Sequence, residues 1–258
     1  MLFKGVYLRL NYVFLIVLFV SCKSSKVGDK AMTSVDRESL VRMVYNELEL
    51  DESEVQLYDI KRSLNNSNEV IIVLAESENE EEEEERYTSH IVIVDGISGK
   101  IRSHFTEDSN LNGWISNAVF IDNIHVDSTN YLLTKTKEGF GVRIKFRNMS
   151  QPNPYSEERI SLFVKDNNQL KKVLDAYTIH ESIGEVNVNT NVCFGVFKIF
   201  ENKIAFQNSS TNGYYDILVN KIETQRNFQK DESNECNPLD KVVSKKKIIL
   251  KFDGKAYH

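Results

Sequence analysis

An all-β fold fronted by one amphipathic helix is the expectation for this chain, and three observations carry it. Beyond residue 55 the sequence runs in short alternating or β-branched stretches divided by Asn, Asp, Ser and Gly, which is the pattern of strands and turns. Asp-Gly or Asp-Asn pairs close several of those stretches, and both supply residues that tolerate the left-handed backbone of a tight hairpin. Only residues 34–50 show the 3.6-residue period of a helix.

In that helical segment Leu40, Val44 and Leu48 fall on one face with Val41 and Tyr45 beside them, while Arg37, Glu38, Arg42 and Glu47 lie elsewhere. Thr33 or Ser34 can cap its start, and Asp36 and Glu38 suit the positive end of the helix dipole. Its polar face is mixed in sign rather than basic, so the helix is expected to dock on the body rather than lie on a membrane.

The strands come in a recurring order. Small polar turns at Asn66-Ser67-Asn68, at Asp127 to Asn130 and at Ser209 to Gly213 each lead into an apolar stretch beginning at Glu69, Tyr131 and Tyr214. Each is preceded by a further candidate strand, at Leu57 to Ile60, Val119 to Ile121 and Val196 to Phe200. Each is followed by a hairpin ending at Asp95-Gly96, Asp166-Asn167 or Asp253-Gly254. Three units, about 55–105, 115–180 and 190–258, would then fill a β-rich domain spanning 54–258. Repeated small antiparallel sheets, propeller-like, are the first form expected for it, and a β-sandwich is the second. The segments Glu76 to Glu85, Arg147 to Tyr155 and Asn227 to Lys241 read as exposed loops.

The first residues read as an address. Lys4 and Arg9 precede the apolar run Tyr12 to Val20, which is too short for the roughly 20 residues a membrane-spanning helix needs. Residues 1–21 are therefore expected to be a signal peptide and 22–33 a polar tether. Phe19-Val20-Ser21-Cys22 resembles the lipobox of bacterial lipoproteins, with Phe19 where that family usually has Leu. The resemblance implies cleavage before Cys22, acylation of its thiol by chains such as palmitate, and a lipid-anchored place in the cell envelope. The looser box and the Asn/Lys/Ile-rich, Pro-poor composition are similar to those of Bacteroidetes lipoproteins.

Composition narrows the classes of partner. Asp and Glu outnumber Lys and Arg by 38 to 32, for a net charge of −6, and no basic stripe runs through the chain. Such a chain is a poor nucleic-acid binder. Lys245-Lys246-Lys247 leads straight into an apolar strand and reads as a solvated strand end. With Cys22 acylated, Cys193 and Cys236 remain, a pair that can form one disulfide in an oxidising compartment. A buried free thiol in Val192-Cys193-Phe194 is the alternative.

Motifs for chemistry are sparse. His90, His104, His125, His180 and His258 are scattered without metal-ligand spacing, and the acidic run from Glu80 to Glu85 lacks the bent, Gly-containing loop of a calcium site. No metal or cofactor is expected. Gly96 to Lys100 lacks the first Gly and the final Ser or Thr of a phosphate loop, and no Gly-x-Ser-x-Gly elbow occurs. Paired glycosidase carboxylates leave no local signature, so that class stays open. Trp114, the single tryptophan, is expected first as a core side chain and second as a binding residue. Tyr214 and Tyr215 are the further candidate binding residues.

Residues 208–217, with the order Asn212-Gly213-Tyr214-Tyr215-Asp216-Ile217, resemble a degenerate FG-GAP or VCBS-type propeller repeat. The calcium ligands of that repeat are replaced here by the neutral Asn208, Ser210 and Asn212, so the resemblance implies a β-repeat without a metal. The same strand-and-turn grammar is similar to that of propeller-like envelope lipoproteins that inhibit lysozymes. The expected function is a lipid-anchored, non-enzymatic protein-binding or inhibitor module, with an envelope hydrolase or carbohydrate-binding protein as the alternative.

Overall fold

The computed structural model describes residues 34–64, 66–78, 84–127, 129–189 and 193–258. The signal segment, the tether with Cys22, and most of the acidic run from Glu80 lie outside them. Helix α1 (Ser34–Leu48) is followed by β1 (Val55–Arg62), β2 (Glu69–Ser77), β3 (Glu85–Asp95) and β4 (Ile101–Glu107). These four strands form an antiparallel meander, and β5 (Ile115–Ser116) joins it beside β3 after the one-turn helix α2 (Ser109–Asn112). The second sheet holds eight strands: β6 (Val119–Val126), β7 (Tyr131–Leu132), β8 (Glu138–Asn148), β9 (Tyr155–Asp166), β10 (Gln169–Val186), β11 (Gly195–Thr211), β12 (Tyr214–Lys230) and β13 (Cys236–Leu250). Its order is β13-β12-β11-β10-β9-β8-β6, with β7 on β8, and every pairing is antiparallel.

The chain is thus a sandwich-like all-β fold with one docked helix. The regions 115–180 and 190–258 do not make separate small sheets: β10 pairs with β11 from His180 to Val186, which fuses them into one sheet. Short-range turn chemistry repeats along the chain, but strand pairing is decided between strands, and the long β10 leaves no edge at which a new sheet could start.

Three layers follow from strand alternation. On β2 and β3, Ile71, Val73, Ala75, Ile91 and Ile93 face the second sheet, where Ile124, Val142, Ile144, Phe146 and Phe163 meet them. The alternate residues Val70, Ile72, Leu74, Val92 and Val94 face Leu40, Val41, Val44 and Tyr45 of α1. Both faces of β2 are therefore covered, which explains why Val70 to Ala75 is a continuous apolar run rather than an alternating one. The helix is placed as its periodicity predicts, and its start is tied down by Arg37, which donates to the Ile60 carbonyl at 2.6 Å.

A third cluster covers the far side of the second sheet. Ile160, Leu162 and Val164 of β9 gather with Ile217 and Val219 of β12, and Leu133, Phe252 and Tyr257 complete it. The C-terminal residues are fastened there by the Tyr257 amide, which donates to the Val173 carbonyl at 2.8 Å. Hairpin chemistry follows expectation at two turns, while between β3 and β4 the left-handed residue is Gly99 (φ 69°) rather than Gly96. Asn167 (φ 57°) turns β9 into β10, and Asn212 (φ 50°) with Gly213 (φ 82°) turns β11 into β12.

Candidate functional site

The distal halves of β10 to β13 extend past the clusters as a four-stranded arm. A single row of partners crosses it from His180 to Glu201, Ile222 and Lys245. Farther out, Gly184, Phe197, Arg226 and Asp240 stand in line. Gly184 is required there, because a Cβ would lie 2.4 Å from the Phe197 ring. Pro152 and Pro154 brace the arm by accepting from the Val186 and Gly184 amides, each at 2.8 Å. At the tip a disulfide joins Cys193, in the β10–β11 connection, to Cys236 at the start of β13. The bridge therefore crosses β12, whose last residue Lys230 pairs with Cys236. Sequence reading placed residues 227–241 in a loop; instead β12 runs to Lys230 and β13 begins at Cys236 around a short turn held by Asp231. The turn residues there are real, but cross-strand pairing and the bridge extend the ladder over the rest.

Strand β13 is the free edge of the second sheet. Every residue from Cys236 to Val243 is exposed. Leu239, Val242, Val243 and Ile249 are each about half exposed, and Lys241, Lys245, Lys246 and Lys247 lie among them. Arg226 of β12 pairs with Asp240 through 2.7 and 2.8 Å hydrogen bonds, which leaves the lysines as the unneutralised charge of this edge among the described residues.

Two buried carboxylates anchor polar networks in the second sheet. Asp127 accepts from the Tyr131 hydroxyl at 2.7 Å, the Thr129 amide at 2.8 Å and Arg143 Nε at 2.6 Å. Burial pushes the Asp127 carboxyl up, and these three donors outweigh it, so it sits below the usual carboxylate range. Burial, with the neighbouring Asp127, pushes the Tyr131 phenol up to about 12. Glu157 accepts two bonds from Arg159, at 2.8 and 2.7 Å, and one from Thr178 Oγ1 at 2.7 Å. Burial again raises its pKa, and Arg159 and Thr178 again outweigh burial. Both groups stay ionised near neutrality, which suits structural anchors and is opposite to what a general acid needs.

The residues singled out from sequence do not converge. Trp114 is 7% exposed, packs in the inter-sheet cluster, and donates its backbone N–H to Asn112 Oδ1 at 2.6 Å. Asn112 in turn donates to the Tyr87 carbonyl, the Ser89 hydroxyl and the Glu107 carbonyl. Trp114 is therefore a core side chain and not a contact surface, because a hydrophobic ring beside a satisfied buried amide has nothing to offer a partner. Tyr214 is likewise turned inward, stacked on Phe252 with ring centroids 4.0 Å apart. Tyr215 is held by its backbone, whose N–H donates to Leu133 and whose carbonyl accepts from the Tyr257 hydroxyl. In the stretch similar to FG-GAP repeats, Asp216 accepts from Thr211 Oγ1 at 2.7 Å, and Asn212 Nδ2 donates to the Phe252 carbonyl. Among the described residues no group of three His, Cys, Asp or Glu side chains stands as a metal-ligand set. No helix among them is long and apolar enough to cross a membrane. Of the arm, the sequence shows the strand from Val196 to Phe200, which lies in β11; the edge strand from Cys236 is hidden in a stretch that reads as a loop.

Compared with protein-family models, with curated proteins and with solved structures, the chain matches none.

Proposed function

We propose that this chain is a lipid-anchored cell-envelope protein, acylated at Cys22, that works as a non-enzymatic protein-binding or inhibitor module. The observation that carries the reading is the arm: a long edge strand, exposed along most of its length, with apolar side chains beside a free row of backbone donors and acceptors. An extended segment of another protein can add to such an edge, taking its affinity from main-chain hydrogen bonds and its specificity from the flanking side chains. The lysines of β13 favour an acidic partner strand, and they discourage two copies of this chain from pairing edge to edge. The disulfide supports the same use, because it keeps a thin, weakly packed structure in register.

Affinity capture with the full chain in detergent, set beside a Val242→Pro variant, tests this; Val242 pairs with Thr224 at a position whose N–H points away from β12. The expected result is a stoichiometric envelope protein held by the wild type and lost by the variant, since proline removes a main-chain donor from the edge. The same proteins on both would end the docking assignment. Labelling with an alkynyl fatty acid, retained by the wild type and lost in Cys22→Ala, tests the anchor. An envelope hydrolase or carbohydrate-binding protein is the alternative, in which Asp127 and Glu157, held below the usual carboxylate range, would not be the general acid.

A further inference from the structure

Strand alternation fills the space between the sheets with apolar side chains, but at one end the pattern changes on four strands together. On β1 the row facing the second sheet, Leu57 and Asp59, ends in Lys61; on β2 the row of Ala75, Val73 and Ile71 ends in Glu69. On β8 the row of Phe146, Ile144, Val142 and Phe140 ends in Glu138, and on β9 Phe163 is followed two residues on by Lys165. All four charges line one cleft of about 200 Å³ between the sheets. Its deeper wall is the apolar core itself, through Ile71, Ile93, Val126 and Phe140.

Two of these charges satisfy each other: Lys165 donates to Glu69 at 2.6 Å, joining the sheets. Lys61 and Glu138 have no ion-pair partner among the described residues, and they stand on opposite walls. Lys61 is half-buried and Glu138 is exposed at the cleft mouth, so both keep their charge available to a ligand that enters it. We propose that the cleft binds a small zwitterion with an apolar body, of the amino-acid or short-peptide class. Its carboxylate pairs with Lys61 beside the rim residue Arg62, its ammonium pairs with Glu138, and its side chains lie on the apolar wall. This site is separate from the β13 edge and does not depend on the docking assignment.

The test is calorimetric titration of the full chain in detergent with L-leucyl-L-leucine, beside its N-acetylated, C-amidated form, which keeps the body and lacks both charges. The free dipeptide should bind, and the blocked form should bind at least about tenfold more weakly, as loss of a charge-assisted hydrogen bond implies. Lys61→Ala and Glu138→Ala should each weaken the free dipeptide by about tenfold and leave the blocked form unchanged. The Val242→Pro variant should bind the dipeptide like the wild type, which keeps failure of this site distinct from failure of the edge. No heat from the dipeptide, equal binding of the blocked form, or indifference to both alanine variants would overturn the proposal.

Discussion

The body and the arm are made of the same strands, yet they are held together by different physics. In the body, β2 and β3 are covered on both faces, by α1 and by the second sheet, and side chains such as Ile72, Val73, Leu74 and Val92 are fully buried. In the arm, the side chains on the continuations of β10 to β13 are half-buried or exposed, with only the glycines Gly184 and Gly195 buried among the described residues and with Phe197 against Phe228 as an aromatic pair. The hydrophobic effect scales with the apolar area removed from water, so it holds the body and does little for the arm. There the ladder hydrogen bonds, the Arg226–Asp240 pair and the Cys193–Cys236 bridge take its place. A surface built this way is free to serve a partner because the core does not need it.

Five measurements would break or sharpen that contrast. Ile72→Ala, which opens a hole between α1 and the first sheet, should cost about 2 to 5 kcal/mol in denaturant unfolding. A cost under about 1 kcal/mol would mean that the helix does not seal this face. Replacing both Cys193 and Cys236 by Ser removes a link between positions 43 apart and should cost about 3 to 4 kcal/mol by chain entropy. Amide exchange locates the effect: 195–202 and 222–230 should exchange faster while 69–76 keep their protection. Equal acceleration in both places would show that body and arm open as one unit.

Arg143→Ala leaves the buried Asp127 without its cation and should cost about 2 to 3 kcal/mol, less than a fully buried pair because Arg143 is partly exposed. The same group sets a pH dependence. Asp127 has a folded pKa below its unfolded value, so its contribution is complete above about pH 4 and is lost as pH falls from there through the folded pKa. Acid titration of stability should therefore be steeper below about pH 4 in the wild type than in Asp127→Asn. Matching curves would show that the network carries no linkage. The smallest effect belongs to the edge: Val243→Ser should alter stability by no more than about 0.5 kcal/mol, while changing capture of a partner. A larger loss would mean that β13 is packed rather than displayed.

The helix, the hairpin turns and the strand starts were legible because each is a local matter. Leu40, Val44 and Tyr45 declare a face by their spacing, and Asn212-Gly213 declares a turn by its backbone tolerance. The candidate sites were not legible, because each is assembled across strands. Lys61 and Glu138 are far apart in sequence, and neither is unusual until both prove to line one cleft between the sheets. Trp114 stays open to both core and contact readings in the sequence, because a rare aromatic after a polar stretch reads the same whether the adjoining turn exposes it or, as Asn112 does here, folds it under.

By itself the sequence determined the β-rich class, the docked helix, the positions of the tight turns and the availability of one cysteine pair. All of these follow from local backbone preference, residue period or a simple count. Tertiary structure alone decided that 115–180 and 190–258 share one sheet, that β10 to β13 outrun their core, and that β13 is left as an edge. The reason is that strand pairing and burial depend on which distant segment becomes the neighbour, and no local pattern specifies that choice.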